Sequence, residues 1–175
     1  MNKTIIAVFK CLAICAILMV FISLATNIFV VFTTYSKLDS VCKIMQSEIS
    51  RNNCLLDVSM YGDNGFIKQL DNICSQTKGS NGTDQMFTLK EIAVVDGDKP
   101  YYYVQDGNLD TKDGTSPADD ETAGKYGTVK VLKVTFTTNI TGVMLTGNGA
   151  NVQQQNIGNG DFTLEYYAPC LRYIK

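Results

Sequence analysis

The chain is 175 residues long, with 15 basic and 17 acidic side chains and neither histidine nor tryptophan. That length holds one domain with a modest core once a membrane anchor is set aside. The missing histidine removes Ser-His and Cys-His nucleophile pairs and the commonest zinc ligand. No basic stripe marks a nucleic-acid partner and no glycine-rich phosphate loop follows a strand. Adjacent carboxylates such as Asp119 and Asp120 sit in an acidic, solvated stretch, so neither an enzyme nor a small-molecule substrate is expected.

Residues 1–10 form a short basic tail carrying Lys3 and Lys10. Residues 11–36, CLAICAILMVFISLATNIFVVFTTYS, contain no charged side chain, no glycine and no proline. As a helix this run extends about 39 Å, more than the ~30 Å of bilayer hydrocarbon, and a helix satisfies its own backbone inside lipid. The lipid bilayer is therefore the first expected partner. By the positive-inside rule the tail stays cytoplasmic and the remainder lies outside a plasma membrane crossed once. Removing Lys3 and Lys10 leaves 13 basic against 17 acidic side chains on the translocated side. The competing reading is a signal peptide cut after Ala25, which would release a secreted protein. The apolar run continues well past that point, which favours an uncleaved anchor.

From 37 to 51 the helix is expected to continue as an amphipathic extension. Leu38, Val41, Cys42, Met45 and Ile49 recur at helical spacing, and Lys37, Asp39, Lys43, Gln46, Glu48 and Arg51 take the other face. Leu38, Val41, Met45 and Ile49 form the expected packing face. All 14 glycines and all three prolines lie beyond Tyr61. Both residue types disfavour helix interiors, so a turn-rich extracytoplasmic domain is expected over 52–175.

Residues 52–61 read as a turn and short extended piece, followed by the strong turn Gly62-Asp63-Asn64-Gly65. A second, short helix then buries Phe66, Ile67, Leu70, Ile73 and Cys74, with Asp63 or Asn64 as its N-cap. The polar stretch 78–84 reads as an exposed tip. The rest reads as a small antiparallel sheet of four or five strands, giving an α+β fold. In 86–95 the apolar positions slip phase by one residue, which predicts a bulge. A similar slip is expected in 128–138, between Val131 and Leu132. Asp96-Gly97-Asp98-Lys99-Pro100 predicts a hairpin into 101–105. Short strands are expected at 143–146 and 161–167, and long loops at 106–127 and 147–160.

Asp106, Asn108 and Asp110 occupy positions 1, 3 and 5 of an EF-hand-like loop, the one pattern that suggests a cation. Thr111 replaces the glycine and Pro117 the glutamate of such a loop, so no cofactor other than Ca2+ is suggested, and that weakly. Cys11 and Cys15 share a face of the apolar run and read as small packing residues. Cys42, Cys54, Cys74 and Cys170 are disulfide candidates with three pairings open; Cys54 with Cys74 and Cys42 with Cys170 is the expected one. The tyrosines at 101–103 and 166–167 read as sheet packing. The sequences at Asn81 and Asn139 match glycosylation acceptors, a pattern common by chance.

The basic tail, the half-apolar helix through Arg51, the turn before GDNGFIKQLDNICSQ, the strands and the terminal LRYIK together resemble pilin-like proteins. Among these the chain looks most like the TadE-like minor pilins of bacterial tight-adherence systems. The resemblance implies a structural component of a surface pilus or secretion assembly, with other pilin-like subunits or assembly proteins as partners. The chain departs from the usual pattern in having no glycine before the apolar run and no glutamate five residues into it. A surface binding module that is tethered but enters no filament is the alternative of a different class.

Overall fold

The computed structural model describes residues 3–51, 57–77, 85–109, 127–145 and 152–171. Its dominant element is one uninterrupted helix, α1 (Lys3–Arg51), so the apolar run and the amphipathic stretch are a single rod, about 72 Å long by helical rise. A one-turn helix α2 (Asp57–Met60) follows where the sequence suggests an extended piece, and then α3 (Phe66–Ser75). Four antiparallel strands, β1 (Phe87–Asp96), β2 (Lys99–Val104), β3 (Val129–Leu145) and β4 (Val152–Pro169), form one sheet in the order β2-β1-β3-β4. The fold is α+β, with the helices on one face of the sheet.

The core lies between that face and the two long helices. Leu38, Cys42, Met45 and Ile49 of α1 are fully buried and Val41 partly so, against Ile92, Leu132, Val134 and Phe136 of the sheet. Phe66, Ile67, Leu70 and Cys74 of α3 complete it, with Ile73 at its margin. The helix starts differently from expectation. Its N-cap is Gly65 and no side chain caps it; Asp63 pairs with Lys68 instead. A Cβ at Gly65 would lie 2.3 Å from the Met60 carbonyl oxygen, so the α2–α3 corner closes only around a glycine.

The hairpin β1–β2 turns through Gly97 and Asp98, with Asp96 opposite Lys99 and Gly97 at φ 59°. The expected bulge in β1 is present, as the register against β3 shifts between Leu89 and Glu91. The second expected slip is absent, because β3 pairs with β4 without interruption from Val129 to Ile140. Val129 and Val131 therefore lie on the outer face, and Lys130 takes the core-facing position between them. Its side chain is 1% exposed and reaches the Asp96 carboxylate at 2.8 Å.

Two further expectations are corrected. Positions 143–145 belong to β3 rather than to a separate strand, and β4 starts at Val152, so residues 152–160 are strand and not loop. The Gln, Asn and Gly run there lacks an alternating apolar face, and its pairing to β3 is made by backbone alone. Residues 78–84, 110–126 and 146–151, with the expected tip and much of both expected loops, lie outside the described residues.

Candidate membrane anchor and its junction with the domain

The N-terminal half of α1 has no protein around it. From Ile5 to Phe29 its large apolar side chains are exposed, and one helix among the described residues is long and apolar enough to cross a membrane. Its hydroxyls are satisfied locally: Thr26 donates to the Ile22 carbonyl and Thr33 to that of Phe29, each at 2.8 Å. Back-bonding of this kind keeps polar side chains compatible with lipid. Cys11 and Cys15 are exposed free thiols on this surface.

The domain takes hold of the helix before the apolar run ends. Val30 and Val31 pack against the core and Thr34 is only 5% exposed, whereas Phe32 on the opposite side is 75% exposed. The expected span of 11–36 is therefore shared: the stretch free on all sides ends near Phe29. Aromatic rings make the first contact. Tyr35 lies 6.1 Å from Phe162, which stacks on Phe136 at 5.3 Å and meets Phe87 edge-on at 5.9 Å.

One turn further on, polar contacts fix the rotation of the rod. The Tyr166 hydroxyl donates to the Asp39 carboxylate at 2.5 Å, and Lys43 pairs with the same group at 2.7 Å. The Lys43 ammonium, followed by the tyrosine hydroxyl, holds the Asp39 carboxyl below its ordinary range. Burial, then the bond to Asp39, pushes the Tyr166 phenol up. Gln46 donates from Nε2 to the Tyr167 carbonyl, and the Leu171 amide donates to the Ser50 carbonyl at the end of the helix.

Neither expected disulfide forms, since Cys42 and Cys74 are buried free thiols and Cys54 lies outside the described residues. Cys42 faces the core, while Cys170 follows β4 beside Ser50, two helical turns along α1. Two turns are about 11 Å of axis, well beyond the separation a disulfide bridges. Burial pushes both thiols up to about 12, which makes them packing groups and poor nucleophiles.

The cation pattern resolves into a turn. Asp106 and Gly107 both have positive φ (51° and 75°), and the Asn108 amide donates to the Gln105 carbonyl, the geometry of a type I′ turn. Asp106 and Asn108 are exposed and Asp110 lies outside the described residues. No group of three or more acidic, cysteine or histidine side chains is placed to hold a metal among the described residues.

Sequence reasoning did not single out Phe162, Tyr166 or Thr34 as junction residues. The clue to Thr34 was its place four residues before Leu38 on the same helix face. Comparison with protein-family models, with curated proteins and with solved structures gives no match.

Proposed function

We propose that the chain is a membrane-anchored, pilin-like structural subunit of TadE-like type, belonging to a bacterial surface pilus or secretion assembly. One observation carries the reading: a single unbroken helix is bare and apolar along its first half and locked into a small α+β domain along its second. A helix of this form serves two states. In the membrane its bare half contacts lipid, with the basic tail inside and the domain outside. On assembly that surface exchanges lipid for the helices of neighbouring subunits, and helix packing offsets the lost lipid contact. The polar outer face of the sheet suits a surface turned to water, since Lys133 pairs with Glu165, and Thr137 and Lys90 with Asp161.

The test is fractionation of native cells with and without the assembly ATPase. The reading expects protein in the membrane in both, and in sheared surface filaments only when the ATPase is present. Protein that stays in the membrane and reaches the surface without the ATPase would instead be a tethered binding module.

A further inference from the structure

The direction of the sheet relative to α1 carries a consequence for the membrane side of the domain. Contacts along the rod pair Ser50 with Leu171, Gln46 with Tyr167, Asp39 with Tyr166 and Tyr35 with Phe162. Towards the apolar half of the helix, β4 thus runs back towards its own start. Beyond Asn139, whose amide still donates to the Met86 carbonyl, β3 and β4 pair only with each other among the described residues. Residues 140–145 and 152–158 form a two-stranded ribbon that leaves the four-stranded sheet at its membrane end.

That end has the chemistry of an interface. Residues 134–160 hold no charged side chain, although charged residues flank them on both sides at Lys133 and Asp161. On the helix, Phe29, Phe32 and Tyr35 are exposed at the same level, and aromatic side chains, Tyr above all, favour the headgroup region. Spacing agrees. Lys10 and Lys37 bound the uncharged run and lie about 40 Å apart along the rod, close to the full thickness of a bilayer with its headgroups. Residues 11–29, free of domain contacts, account for about 28 Å, close to the ~30 Å hydrocarbon layer. No length of helix is left over to hold the domain away from the surface. The ribbon cannot enter the hydrocarbon, because its unpaired edges need polar partners. The headgroup layer supplies them.

We propose that the domain rests directly on the bilayer, with helix residues 29–35 and the charge-free β3–β4 ribbon lying in the headgroup layer of the leaflet it faces. This rests on the anchor reading above and names the lipid surface as a second partner of the domain itself.

The chain has no tryptophan, so single-tryptophan variants of the full-length protein report depth without background. Val20→Trp, Phe32→Trp, Gln154→Trp and Tyr167→Trp are reconstituted in phosphatidylcholine vesicles whose acyl chains carry bromine near the headgroup or near the methyl end. The proposal expects V20W to be quenched most by deep bromine, F32W and Q154W most by shallow bromine, and Y167W by neither. Quenching of V20W with F32W and Q154W unquenched and open to aqueous iodide would overturn the proposal while leaving the anchor intact. Loss of quenching at V20W as well would overturn both. Emission of Q154W that ignores bromine but changes with protein-to-lipid ratio would assign the ribbon to a neighbouring copy, and the proposal would be wrong.

Discussion

Gly65 and Lys130 are the two positions where a single side chain decides the local packing. At Gly65 the obstacle is the Met60 backbone, which cannot rotate away. Gly65→Ala is expected to destabilise the domain by about 1–3 kcal/mol, the range for overpacking, read as a lowered urea midpoint; an unchanged midpoint would contradict the corner geometry. The Lys130–Asp96 pair is asymmetric, with the ammonium 1% exposed and the carboxylate 39% exposed. Asp96→Ala strands a buried charge and is expected to cost about 3 kcal/mol, whereas Lys130→Met leaves a carboxylate that water can reach and is expected to cost less than about 1 kcal/mol. Equal losses for the two variants would show that the pair is not buried on one side only. Lys130 was misread in the sequence because the valines flanking it suggested that their face was the core.

Asp39 and Tyr166 set a pH window. The Asp39 carboxyl is lowered from 3.8 in the folded protein, so its contribution is present above that value and is lost as pH falls through the folded one. The Tyr166 phenol is raised from 10.0; its contribution is present below that value and is lost as pH rises towards the folded one. Stability against urea is expected to be flat between roughly pH 5 and pH 9 as far as this pair is concerned. Asp39→Asn should shallow the acid limb of the curve; an acid limb identical to the parent's would remove Asp39 from this role.

At the scale of elements, α1 is where periodicity speaks most clearly. The stripe through Leu38, Cys42, Met45 and Ile49 was legible because one buried face of a helix repeats every three to four residues, and those residues are buried in the structure. The start of domain contact at Val30, Val31 and Thr34 was not legible. Within a uniformly apolar run, a residue facing lipid and one facing a core look alike. The same ambiguity hid the first half of β4, whose Gln and Asn residues show no inward face although their backbones pair with β3. Val20, in the middle of the bare half, is exposed. An aspartate at the centre of a membrane helix costs about 2.5–3.5 kcal/mol, so Val20→Asp is expected to move protein from the carbonate-resistant membrane fraction to the soluble one. Normal retention of that variant would count against an anchor.

At the scale of the whole molecule, the rod and the domain form one unit because aromatic, ionic and backbone contacts bind them along some fifteen residues, from Tyr35 to Ser50. The general plan, a long helix, a short helix and an antiparallel sheet, was readable from where glycine and proline begin and from the turn at Gly62. The cysteine pairing was not. An even count of extracytoplasmic cysteines suggested bridges, but Cys42 points into the core two turns away from Cys170. The account stands most directly on the apolar half of α1 being kept in the mature protein. The deciding measurement is the intact mass of protein purified from native cells without reductant. The account predicts a mass that includes residues 11–36, whether or not the short basic tail is trimmed. A mass beginning at Thr26 would mean that the run is a discarded signal, and both the anchor and the pilin-like reading would fall with it.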